Sequence, residues 1–325
     1  MYRTILCMNM LHTRRFLFLT FLMASIMNGC SGDSTDLPAA FELRFAATAN
    51  GAEVGCADKI SGVGPSGRHQ IGLSDLRFYV SNLRLLDAKG NPIPFTLDEN
   101  EFQYKGDSGS VALIDLTGNT EGTCAGAAIA FPEGTARTHK AITGKTLVKE
   151  VTSVTFDLGV SQPLMKATIA NNTAEGAPSP LNEMYWSWAS GYRHFVMNFA
   201  VEDDGNGNGG DGYLHIGSLD CGPADGKALE DRDACGFVNT PTVALTGINL
   251  ATDTVSIDLI RAVANLDFIS PIYDTTTFEV IGEGPGVECH SSPGQPDCAL
   301  IFSNFGLDIS TGQANSASNS VFSIK

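Results

Sequence analysis

The feature that most limits what this chain can become is a set of six cysteines lying behind an N-terminal export signal: Cys56, Cys124, Cys221, Cys235, Cys289 and Cys298. Arg14 and Arg15 precede the apolar run Phe16 to Met27. Such a run has the length of a signal-peptide hydrophobic region and is too short to span a bilayer. It ends at Asn28-Gly29-Cys30-Ser31-Gly32, a small residue before a cysteine, although Met27 stands where a lipoprotein box usually has Leu. Cys30 is therefore the expected lipidation site. Residues 1–30 read as the signal, residues 31–40 (SGDSTDLPAA) as a polar tether, and residues 41–325 as one folded domain. The expected location is the periplasm or cell surface, with a lipid anchor in the outer membrane.

An even cysteine count in an oxidising compartment reads as disulfides. The local spacings suggest Cys221–Cys235 and Cys289–Cys298 as loop staples, which leaves Cys56–Cys124 as a long-range tie, although spacing alone does not decide among the pairings. A metal–thiolate cluster is disfavoured, because no Cys-x-x-Cys pair occurs and exported thiols are oxidised.

Between the cysteines run short segments with strand chemistry. Phe41 to Phe45 alternates apolar and polar residues, and Leu76 to Leu86 (LRFYVSNLRLL) is a longer aromatic and branched stretch. Val111 to Leu116, Ser153 to Val160, Phe195 to Val201 and Thr242 to Leu250 continue the pattern, with Gly/Asn turns between them. Regular short strands of this kind predict an all-β, antiparallel sandwich or barrel-like domain with long loops and few short helices. One helix is readable from Ser256, with Ile257, Ile260, Val263 and Ala264 on one face and Ser256 as N-cap, although alternation is readable there too.

Charge narrows the function classes. The formal charge is −16, and losing Arg3, Arg14 and Arg15 with the signal leaves −19. No basic phosphate-binding surface survives that balance, so nucleic acid is not an expected partner. Walker, Rossmann, Gly-x-Ser-x-Gly and His-Glu-x-x-His motifs are absent, and no enzymatic turnover is expected. A hydrolase built on a carboxylate pair has no support, because the acids are scattered through loops.

Three features remain. Asp204, Asn206 and Asn208 space like the first half of a calcium loop, but the twelfth position is His215 in place of the bidentate Glu, so a hairpin tip is the better reading. Of the histidines beyond the signal, His215 lies in the strand-like run Tyr213 to Ser218 just before Cys221, and His69 precedes another strand. Imidazole suits copper, and a disulfide frame could hold two or three such ligands. Both tryptophans, Trp186 and Trp188, fall in Met184-Tyr-Trp-Ser-Trp188, where a strand would put Met184, Trp186 and Trp188 on one face. Such a stripe serves equally as core packing, as a thioether-rich copper neighbourhood, or as a target of one-electron oxidation.

These pieces fall in a recognisable order: Cys56, SDLRFYVSNLRLLD (74–87), VALIDL (111–116), Cys124, FDLGVSQPL (156–164), PLNEMYWSWASGYRHF (180–195), HIGSLDC (215–221) and Cys235. Together they resemble the MbnP-like family, the metallo-mystery-pair four-Cys-motif proteins. The resemblance implies an exported copper-binding protein. Its expected partner is a di-haem cytochrome peroxidase of the MauG type that oxidises a tryptophan to kynurenine. Carried over, Trp186 or Trp188 is the oxidised residue and His215 the first imidazole ligand, followed by His69 and then His194. Relatives are expected to read Leu-Asn-His after the preceding strand, where this chain has Pro163-Leu164-Met165-Lys166; if that His is a ligand, either Met165 or Met184 replaces it here or metal binding is weakened or lost. The competing reading is a structural or adhesive cell-envelope lipoprotein with no metal site.

Overall fold

The computed structural model describes residues 37–325 apart from 57, 119–123, 125–128, 130–135, 188–190, 203–208, 222–234, 275, 278 and 316–318. Cys30, Trp188, and the loop positions Asp204, Asn206 and Asn208 therefore lie outside the described residues.

Short runs of alternating polarity become strands throughout. In chain order these are β1 (Ala39–Ala49), β2 (Ala52–Glu53), β3 (Lys59–Val63), β4 (His69–Leu86), β5 (Pro92–Ile93), β6 (Phe95–Leu97), β7 (Gln103–Gly106), β8 (Gly109–Asp115), β9 (Ala141–Thr146) and β10 (Ser153–Leu158). They continue as β11 (Tyr185–Ser187), β12 (Gly191–Val201), β13 (Gly210–Gly217), β14 (Thr242–Thr246), β15 (Thr254–Asp258), β16 (Ile269–Tyr273), β17 (Val280–Pro285), β18 (Val287–His290) and β19 (Phe322–Ile324). The α-helices are short: α1 (Gln162–Asn171), α2 (Leu259–Ala262) and α3 (Pro296–Asn304). The first strand begins at Ala39, two residues inside the expected tether.

One sheet runs β19-β15-β1-β9-β6 with β2 at its margin, and the larger runs β14-β10-β4-β12-β13-β18 with five further strands attached. The sheets face each other across a common core. Phe45 of the first meets Phe78 and Phe156 of the second edge-on at 5.6 and 5.8 Å, and Phe322 meets the same two rings at 6.1 Å. Apolar burial of this kind is the main stabilising term. The architecture is an all-β sandwich, as the strand pattern predicts.

Two departures from a purely antiparallel plan follow. β1 pairs with β15 and β13 with β18 in parallel. The expected helix from Ser256 is instead the end of β15 followed by the single turn α2. Its N-cap is Asp258, whose Oδ1 accepts from the Ile260 and Arg261 amides at 3.1 and 3.2 Å, because alternation buries Val255 and Ile257 in the core and leaves only the next turn free to coil. Gly210 to His215, the second half of the calcium-like spacing, is strand paired with β12, while Asp204, Asn206 and Asn208 of its first half lie outside the described residues.

The cysteines pair as Cys56–Cys124, Cys221–Cys235 and Cys289–Cys298, the pairing the spacings suggest. The large sheet has a strict division of labour. Leu76, Phe78, Phe195, Met197, Leu214, Ile216 and Cys289 enter the sandwich core. Alternation sends Asp75, Arg77, Val196, Asn198, Tyr213, His215, Glu288 and His290 to the opposite face. Replacing Phe78 with Ala is expected to lower unfolding free energy by about 3–5 kcal/mol in a urea titration. An unchanged midpoint would mean that this ring does not join the sheets.

Candidate metal centre

The outer face of the large sheet carries a polar patch set by strand register. Asp115, Arg77, Val196, His215 and His290 are successive ladder partners across β8, β4, β12, β13 and β18. One step along, Asp75, Asn198, Tyr213 and Glu288 form the neighbouring row. Residues paired directly across strands project to the same side, so both rows point outward together.

At the β13–β18 end two imidazoles meet. His215 Nδ1 lies 2.9 Å from His290 Nδ1, with ring centroids 4.8 Å apart. The outer nitrogen of His215 is 2.7 Å from Asn198 Oδ1. That oxygen can only accept, so His215 carries its proton on Nε2 and presents a lone pair at Nδ1. Burial, then the charges of His290, Arg193 and Arg77, push the His215 pKa well below the usual histidine value, which keeps the ring neutral. His290 is the accessible partner, its side chain 37% exposed, and its Nε2 stands 4.0 Å from Glu288 Oε1. The space between the Nδ1 atoms holds either one shared proton or one cation, never two protons.

The indole of Trp186 closes the site. Its ring centroid is 5.6 Å from that of His215 and 6.2 Å from that of His290, and the Arg193 guanidinium lies 5.7 Å over it. The buried Nε1 has no hydrogen-bond partner among the described residues. Gly217, two residues past His215, makes this approach possible: a Cβ there would stand 2.7 Å from the indole nitrogen and 2.7 Å from Tyr192 O. On the other side Arg77 is buried against Asp75, Nε–Oδ1 2.8 Å and Nη2–Oδ2 2.6 Å. Burial opposes its charge, but Asp75, with Asp115 and Glu183, outweighs that and keeps the guanidinium protonated.

The other candidates go elsewhere. His69 begins β4, eight positions from the residue that shares the His215 row, or roughly 25 Å along an extended strand. Its ring stacks on Phe268 at 5.1 Å. His194 is the bulged residue between the Arg193 and Phe195 pairings, fully buried, with Nδ1 3.0 Å from Asn239 O. Met184 has a positive φ of 48° just before β11, so it does not share a strand face with Trp186, and it packs in a satellite core with Met165, Tyr79 and Tyr192. The Met165 sulfur lies 3.7 Å from Ser218 Oγ. Sequence reasoning passed over His290, whose only local signal is its place beside Cys289.

The donor set fits a copper ion in kind: two neutral-capable imidazoles, each with an oxygen toward its outer nitrogen. Among the described residues, no group of three or more His, Cys, Asp or Glu side chains is placed to hold a metal.

Fold and site together define a disulfide-bonded β-sandwich protein with an imidazole pair and an indole on its outer sheet face. The chain belongs to the MbnP family, whose model matches residues 38–280. It is similar to the solved structure of MbnP from Methylosinus trichosporium, with a TM-score of 0.63 and 25% identity over 89% of this chain and 98% of that one. No curated protein matches it. His290 lies beyond the segment that the family model covers.

Two predictions follow from this geometry. Gly217→Ala is expected to push the indole away, shifting Trp186 fluorescence; an unshifted spectrum would contradict the tight approach. His194 titrates near 4, chiefly because burial disfavours its cation. The unfolded side chain titrates at about 6.5, so its contribution is complete above that pH and shrinks by about 3 kcal/mol as pH falls to 4. His194→Gln is therefore expected to flatten part of the acid loss of stability between those pH values, measured by urea titration; an unchanged slope would contradict it.

Proposed function

We propose that this MbnP-family chain is an exported, non-enzymatic copper-binding protein that serves copper acquisition or handling. In this reading it is anchored to the outer membrane through Cys30 and matured by oxidation of Trp186 to kynurenine. The observation that carries the reading is the convergence of one indole with two imidazoles, which no third His, Cys, Asp or Glu among the described residues joins to hold a metal.

Kynurenine adds donor chemistry to that pair. Two hydrogen peroxide molecules reduced to water place one oxygen on each of indole C2 and C3 as the C2–C3 bond breaks. Hydrolysis then releases C2 as formate and leaves an aniline nitrogen and a ketone. A di-haem peroxidase of the MauG type is the expected oxidant. His215 and Gly217 hold the indole edge in place, and the disulfides fix the strands that carry them. Copper, when bound, would be held by the imidazole nitrogens and by the new nitrogen or oxygen. Trp186 is taken as the target because its ring lies against the imidazole pair, while Trp188 lies outside the described residues.

The reading is tested by intact mass and peptide mapping of protein made beside its peroxidase partner, with copper content measured on the same sample. The peptide spanning 184–195 is expected to carry the tryptophan-to-kynurenine mass change with about one copper per chain. Trp186→Phe should abolish both the change and most of the copper. An unmodified, copper-free chain would instead support the envelope-lipoprotein reading, which the exposed apolar residues of the β16–β17 hairpin (Ile269, Ile272, Val280 and Ile281) favour.

A further inference from the structure

We infer that the β16–β17 hairpin is a docking surface for a protein partner that presents an apolar patch ringed by lysine and arginine. The inference rests on the proposed maturation for the identity of that partner, the oxidising haem protein, and on the hairpin's own chemistry for the surface.

The hairpin forms a two-stranded sheet of its own, and its root is fixed. Phe268, just before β16, is buried and stacks on His69 at 5.1 Å, and its carbonyl accepts from the Gly286 amide at 3.0 Å. Two glycines let the backbones close there: a Cβ on Gly210 would fall on Pro285 O, and one on Gly286 would stand 2.6 Å from Asp211 O. Beyond this root the ladder runs from the Ile269–Pro285 pair to the Tyr273–Val280 pair. Ile269, Ile272, Val280 and Ile281 are 44–66% exposed, and among the described residues only Leu37 and Leu300 are other large apolar side chains so placed. A lone hairpin is marginally stable in water, and apolar residues gathered at one exposed place mark contact surfaces. A fixed root beneath such a tip also lowers the ordering cost of binding.

Charge chooses the occupant. From Leu266 to Gly286 the chain holds four acids, Asp267, Asp274, Glu279 and Glu283, and no Lys or Arg. Hydrogen bonds from the Thr277 and Thr276 amides hold Asp274 below the usual carboxylate range, so it is charged at neutral pH. An adhesive envelope protein would set the same ribbon against lipid or a second copy. A second copy would bring like charge to like, and an anionic lipid surface would repel the same carboxylates. A basic-rimmed protein face satisfies both the apolar tip and its acids. Pro271 in β16 and Pro285 in β17 lack amide donors, which disfavours strand addition and leaves side chains to make the contact.

Position ties this surface to the site. β17 runs through Gly286 into β18, so Pro285 and His290 are five residues apart, roughly 17 Å along an extended strand. A standard interface covers about 800 Å² per partner, roughly 30 Å across. A partner seated on the hairpin root therefore spans the distance to the part-exposed His290 and the indole beside it.

The test uses the mature protein, a Val280→Ser/Ile281→Ser variant and a Glu279→Lys/Glu283→Lys variant, with melting curves to show that each folds. The probes are the purified di-haem peroxidase, phosphatidylethanolamine vesicles containing phosphatidylglycerol, and the protein itself. Binding is read by interferometry and sedimentation, and Trp186 oxidation by mass. The serine variant is expected to bind the peroxidase at least about 10-fold more weakly, chiefly through faster dissociation. The lysine variant should associate more slowly and lose the parent's dependence on salt. Both should slow kynurenine formation when peroxidase is limiting. If the peroxidase binds and oxidises both variants as it does the parent, the docking inference is overturned and the maturation reading stands. If the parent binds peroxidase through the hairpin but keeps an intact indole, docking stands and the maturation reading falls. If the hairpin holds vesicles or a second copy and not the peroxidase, the inference is overturned in favour of that occupant. A parent that binds no probe and stays unmodified sinks both.

Discussion

The register of four adjacent strands is the constraint on which the rest depends. β4, β12, β13 and β18 are aligned so that one set of side chains fills the sandwich and the other set forms two polar rows outside. A slip of one residue in any of them would exchange the faces, burying Arg77 or His215 among phenylalanines. The cost of that exchange is what makes the alignment reliable. The hydrophobic core thus acts as the device that aims the site, although none of its members belongs to the site.

Electrostatics divides the outer face into two functions. Around β4 the charges are satisfied internally: Arg77 is bracketed by Asp75 and Glu183, and Glu183 reaches on to Arg137. This part behaves as buried ionic structure, where removing one partner would leave a stranded charge. Around β13 and β18, burial first and then the charges of His290, Arg193 and Arg77 disfavour proton uptake at His215. A neutral nitrogen pair beside an aromatic ring is suited to a soft or borderline cation. The guanidinium of Arg193 over the indole adds order without adding a ligand.

Much of this was legible in the sequence, and what was missed has a common cause. Strand alternation reveals the sandwich, and close spacing suggests the Cys221–Cys235 and Cys289–Cys298 staples, because these are local signals; Cys56–Cys124, 68 residues apart, is only what remains. His215 stands out for the same reason, lying in a strand run beside Cys221. His290 sits 75 residues later and meets His215 only through a parallel pairing, which no local pattern announces. His69 and His194 misled because proximity in sequence is not proximity on a sheet: one is far along a long strand, the other turned inward by a bulge. Asp258 took the capping role expected of Ser256 because the strand ran on for two more residues before the chain could turn.

The central claim is that His215, His290 and the residue at 186 form one copper site. A crystal structure of copper-loaded protein purified with its oxidised residue tests it most directly. The account predicts metal density between the two Nδ1 atoms, with an opened ring at position 186 contributing a donor. An intact indole and a direct histidine–histidine hydrogen bond in a copper-saturated crystal would contradict it.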